Sequence, residues 1–181
     1  MNLNKLFQCA VAGLVAAQIP LLSAEKTMAQ AVNDLSSFQC QISTDDLYVT
    51  LALRKNGAVS DPMIVWKTEE FSSSGYTPER RCNEVTNRLN AILDENGGTL
   101  SGLYMTAGIV NGEAVLCAVN NTRSGCNSRN MLFTLNQDNR RNPSRMLRSI
   151  ASAGVVGSGN VIQESGGQPY LNLEVLVNEL F

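Results

Sequence analysis

Histidine is missing from the whole 181-residue chain. Its absence excludes Ser-His-Asp and Cys-His nucleophilic mechanisms and most zinc chemistry. No CxxC pair occurs either, so the five cysteines do not have the spacing of a zinc site. Charged residues make up only 17% of the chain, and Lys+Arg 14 against Asp+Glu 16 leaves a net charge of −2. That balance gives no general attraction to nucleic acid, and none is expected as a partner. Low-complexity tracts, heptad runs and internal repeats are absent. The glycine-rich stretch Gly154-Val155-Val156-Gly157-Ser158-Gly159 lacks the lysine of a phosphate loop and a clear preceding strand, and reads as a turn. These gaps lean the reading away from an enzyme; no catalytic residue, metal site or cofactor is expected.

What the chain does carry begins with an export signal. Lys5 supplies a positive start, Leu6–Leu22 is nearly free of charge, and Ala29-Gln30-Ala31 is a small-x-small cleavage site. The apolar run is interrupted by Gln18 and Pro20 and is short against the roughly 20 residues of a membrane span. A retained anchor and a lipid-carrying Cys9 are the weighed alternatives, the second opposed by the bulk of Gln8 and by an apolar run that follows the cysteine. The reading is a signal peptide over 1–31, a flexible tail over 32–37 and a single domain over 38–181. Loss of Lys5, Glu25 and Lys26 takes the net charge from −2 to −3. The remaining length suffices to bury roughly 70% of the unfolded chain's surface.

Four cysteines follow the signal: Cys40, Cys82, Cys117 and Cys126. An even number in an exported chain reads as two disulfides, with three possible pairings. Cys40–Cys82 and Cys117–Cys126 are favoured, since the second pair closes a short polar loop between two strands.

The periodicity supplies the elements. Strands are expected at Phe38–Ile42, at Leu47–Leu53 with strict alternation, and at Pro62–Lys67. Thr77-Pro78-Glu79 opens a helix that runs to Glu95 before Gly97-Gly98, with Cys82, Val85, Leu89, Ile92 and Leu93 inward. Asn111-Gly112 marks a hairpin between Leu100–Val110 and Glu113–Val119. A strand at Met131–Leu135, a helix from Asn142-Pro143, an edge strand at Val161–Gln163 and a terminal helix at Leu171–Leu180 complete the pass. The expected fold is α+β, a mostly antiparallel sheet of about five to seven strands with two or three packed helices and two disulfides.

Among candidate sites, the arginines stand out. Arg141, Arg145 and Arg148 follow i, i+4, i+7 spacing beside Arg140 and can share one face toward an anionic partner or lipid headgroups. Arg80 and Arg81 open the first helix against its dipole, which calls for a partner such as Glu79, Glu84 or a loop acid. Asp45-Asp46 and Glu69-Glu70 read as solvated loop acids. Trp66, Phe71 and Tyr76 precede the first helix and either anchor the loop or line a ligand groove.

Phe38-Gln39-Cys40, Trp66, Phe71 and above all Gly75-Tyr76-Thr77-Pro78-Glu79-Arg80-Arg81-Cys82, with Val85, resemble the cyanobacterial circadian oscillating protein family. Asn111-Gly112, Val115-Leu116-Cys117-Ala118, Cys126 and Leu132-Phe133-Thr134-Leu135 add to the resemblance, which spans roughly residues 38–150. It implies a cyanobacterial source, export and peripheral association with a membrane, and supplies no catalytic residue. The expected function is therefore a non-enzymatic exported protein, peripheral to a membrane or envelope surface in the periplasm, the thylakoid lumen or outside the cell. Its expected partners are that surface or an envelope protein, and no oligomeric state is assigned. The alternative is a small-ligand binder or enzyme using the segment around Trp66–Tyr76.

Overall fold

Thr77 and Pro78 start the long helix as their chemistry dictates. The Thr77 hydroxyl accepts from the Arg80 amide at 3.2 Å, and Pro78 occupies the first helical position of α1, Pro78–Glu95. Cys82, Val85, Thr86, Leu89 and Leu93 form its buried face. The computed structural model describes residues 35–153, 161–163 and 167–181. The expected signal peptide, Cys9 and the Gly154–Gly159 turn lie outside the described residues.

The strands divide between two antiparallel sheets. The first has the order β1-β2-β3, with β1 Leu35–Ile42, β2 Tyr48–Arg54 and β3 Ile64–Trp66. The second has the order β6-β5-β4-β8-β7, with β4 Tyr104–Val110, β5 Glu113–Val119, β6 Met131–Thr134, β7 Val161–Gln163 and β8 Pro169–Asn172. The β4–β5 hairpin turns on Asn111 and Gly112, whose φ values of 52° and 82° are what a two-residue primed turn requires. Two short helices follow β6, α2 Gln137–Arg140 and α3 Pro143–Ala153, and α4 Leu173–Glu179 closes the chain. The architecture is α+β.

One core cluster runs through the whole assembly, from Phe38 and Ala52 of the first sheet through Leu89 of α1 to Met105 and Leu116 of the second sheet, Leu147 of α3 and Leu176 of α4. Helix α1 packs on β1, β2 and β6 and so bridges the sheets, while α3 packs on β4 and β8. The Cys40–Cys82 disulfide ties β1 to α1, with Cα atoms 5.6 Å apart. The Cys117–Cys126 disulfide ties β5 to the polar loop that follows it, with Cα atoms 5.5 Å apart. Both are the favoured pairings.

Three expectations are corrected. The tail expected over 32–37 overlaps β1, because Leu35 is buried and β1 pairs with β2 from Leu35 onward. Strand β2 is buried on both faces, and the face that joins the core is Thr50 and Ala52, not the larger alternating residues. Helix α1 packs on this face, with the Thr50 and Thr86 hydroxyls 3.3 Å apart. Finally, the terminal helix begins at Leu173, and Pro169–Asn172 forms β8 in the interior of the second sheet.

Candidate functional site

The segment 67–76 joins β3 to α1 and is held down by the two arginines that open the helix. Ser72–Ser74 makes one 3-10 turn, Gly75 takes φ 83°, and the Tyr76 amide donates to the Phe71 carbonyl at 3.0 Å. Arg80 donates from Nε to Glu84 at 2.7 Å and from Nη1 to the Gly75 carbonyl at 3.3 Å, with its guanidinium 4.4 Å from the Tyr76 ring centroid. Arg81 donates from Nη2 to the Thr68 carbonyl and lies 5.5 Å from the Trp66 ring and 5.6 Å from the Phe71 ring. Their charge, unfavourable against the helix dipole, is thus used to pin the preceding loop.

Arg81 is unusual among these. Its Nε is buried and meets no hydrogen-bond acceptor. Burial pulls the guanidinium below its ordinary pKa, which Glu69 and Glu70 partly offset. Those carboxylates are themselves engaged, Glu69 by the Ser72 hydroxyl and Glu70 by the Gln137 amide at 3.0 Å.

Two clefts meet at this loop. One, of about 430 Å³, is walled by Phe71, Tyr76, Val85, Met131, Leu132 and Phe133, with Arg81, Arg88, Arg140, Glu84 and Glu113 also lining it. The other, of about 180 Å³, contains Trp66, Thr68, Asn136 and Met146. Phe71, Arg81, Phe133 and Thr134 line both and form the partition between them. Trp66 and Phe133 meet edge to face, with centroids 5.2 Å apart. Within the larger cleft Arg88 donates to the Leu132 carbonyl at 2.5 Å and faces Glu84 at 3.5 Å. The Arg140 side chain has no partner among the described residues.

The arginines of the expected strip part company. Arg141 and Arg145 line one open depression of about 510 Å³ with Asp138, Asn139, Asn142, Met146 and Ser149. Arg148 is exposed on α3 but does not line it. The Arg145 amide donates to the Asn142 side chain at 3.0 Å, and Arg145 stands in the first turn of α3. The structure therefore places Arg140 in the cleft beside the 71–76 loop, apart from the depression lined by Arg141 and Arg145.

Residues 37–178 match the model of the family described as Circadian oscillating protein COP23. The chain belongs to that family. No curated protein and no solved structure matches it. The block that carries the resemblance, Gly75 to Cys82, is the block that builds the loop-pinning arginines and the Cys40–Cys82 bridge.

The remaining candidates are quickly placed. Asp45, Asp46, Glu69 and Glu70 are exposed on loops. Tyr76 shares a cleft with two carboxylates, Glu84 and Glu113, and Glu84 is held between Arg80 and Arg88. Among the described residues no helix is long and apolar enough to cross a membrane, and no group of three or more acids or cysteines could hold a metal. The sequence reading missed the cleft that joins Arg81, Arg88 and Arg140. One readable signal was there: Arg81 and Arg88 stand at i and i+7 on one face of α1.

Proposed function

We propose that this family member is an exported, non-enzymatic binding protein that works peripherally at a membrane or envelope surface. The observation that carries the reading is the pair Arg141 and Arg145, whose guanidiniums share one exposed depression and meet no protein partner among the described residues. Asp138 also lines the depression but forms no ion pair with either arginine, and two such cations on one rim favour an anionic surface, at about 1 kcal/mol per basic residue near it. Two disulfides suit an oxidising, extracytoplasmic environment. Lys5, the Leu6–Leu22 run and Ala29-Gln30-Ala31 support cleavage after Ala31, and the family resemblance supports a cyanobacterial host.

Fractionation of the host tests this directly. Release of the protein from membranes by high salt is expected, with a mature mass that begins at Val32 and is reduced by the hydrogens of two disulfides. Retention through a carbonate wash with residues 1–31 attached would make it an anchored protein instead.

A further inference from the structure

We infer that the cleft between the 71–76 loop, α1 and the β5–β6 edge is a binding site for a single-chain anionic amphiphile, a carboxylate head on an apolar tail. This goes beyond surface attachment and does not depend on it, because the cleft and the Arg141–Arg145 depression are separate. Three features define the ligand.

The first is the wall. Phe71, Tyr76, Val85, Met131, Leu132 and Phe133 surround a volume of about 430 Å³, within the usual range for small-molecule sites of roughly 300–1,000 Å³. Tyr76 lines this cleft with 42% of its surface exposed and with Arg80 4.4 Å from its ring centroid.

The second is the charge. Of the two lining carboxylates, Glu84 is matched by Arg80 and Arg88 and Glu113 has no ion-pair partner among the described residues, while Arg88 and Arg81 also give hydrogen bonds to the Leu132 and Thr68 carbonyls. Arg140 is the lining cation left without a partner among the described residues. It can present a planar pair of donors to a carboxylate.

The third is Arg81. Its Nε is buried and meets no acceptor among the described residues. A negative group in the same cleft adds to the partial compensation that Glu69 and Glu70 already give that charge. Head and tail requirements are then met in one place: the carboxylate toward Arg140 and Arg81, the tail along Phe71, Tyr76 and Phe133.

Trp66 gives a built-in reporter. It is the one tryptophan of the chain, and two cleft residues, Arg81 and Phe133, lie against its ring. Titration of the mature protein with dodecanoate below its micelle concentration is expected to change Trp66 emission saturably at one equivalent, with calorimetry giving the same stoichiometry. Acetate, the head alone, and dodecyl maltoside, a neutral head on the same tail, are expected not to saturate the site. Arg140→Glu is expected to weaken dodecanoate binding about tenfold or more, the loss of one charge-assisted contact. Tyr76→Ala is expected to weaken it as well, and Arg141→Glu to leave it unchanged. No saturable dodecanoate binding, equal binding of dodecyl maltoside or acetate, or undiminished binding by both Arg140→Glu and Tyr76→Ala would overturn the assignment. Vesicle binding lost in Arg141→Glu with dodecanoate binding kept separates this site from the surface reading.

Discussion

At the scale of single residues, Thr50 shows how a small polar group can hold an interior together. Its hydroxyl oxygen accepts from the Trp66 indole at 3.0 Å and lies 3.8 Å from the Cys82 sulfur, with no exposure to solvent. Thr50→Val keeps the shape and removes the acceptor, leaving a buried indole N–H unpaired. A loss of about 1–3 kcal/mol is expected in urea unfolding, together with a shift in Trp66 emission. Gly108 on β4 is needed for a different reason. A Cβ there would stand 2.9 Å from the Cys126 Cβ, inside any normal contact. Gly108→Ala is expected to cost about 1–3 kcal/mol by overpacking against the Cys117–Cys126 bridge, measurable as a lowered unfolding midpoint in the oxidised protein. The sequence announced neither residue: threonine on a strand and glycine on a strand are ordinary until the facing element is known.

At the scale of elements, what was legible followed from local chemistry. Helix α1 carries its own start and its own buried stripe, and the β4–β5 hairpin carries its own turn. Strand β8 has no such signal. Its short run Pro169–Asn172 becomes a strand because β4 and β7 pair with it, and β4 lies more than sixty residues earlier in the chain. The division into two sheets is non-local for the same reason. The cleft was half legible: Arg81 and Arg88 share a helix face, but Phe133 and Arg140 reach them only through the fold. Strand β1 shows how an element depends on another. It lies at a sheet edge, and Asn90 of α1 both donates to the Phe38 carbonyl at 3.0 Å and accepts from the Phe38 amide at 2.7 Å. Asn90 thus replaces a missing neighbouring strand. Asn90→Ala is expected to cost about 1–3 kcal/mol and to raise amide exchange at Phe38 more than at Thr106, which is buried in the other sheet.

At the scale of the molecule, a core cluster joins the two sheets, and each sheet is tied by one bridge to an element beside it. The Cys40–Cys82 bridge spans 42 residues and the Cys117–Cys126 bridge spans 9. Loop-closure entropy makes the first worth about 4 kcal/mol and the second about 2.7 kcal/mol. Replacing each pair by alanine is expected to destabilise in that order. The bridge from β1 to α1 also fixes the start of the helix whose first turn pins the 67–76 loop, so its loss is expected to loosen the cleft. The cationic rim stands apart from both bridges, and it carries the central claim about function. The decisive measurement is co-sedimentation of the mature protein with vesicles of phosphatidylglycerol and with neutral phosphatidylcholine vesicles across a salt series. Binding to the anionic vesicles alone, weakened by salt and lost in the combined Arg141→Glu and Arg145→Glu variant, is the expected result. Equal binding to both vesicle types, or anionic binding that survives both substitutions, would contradict it.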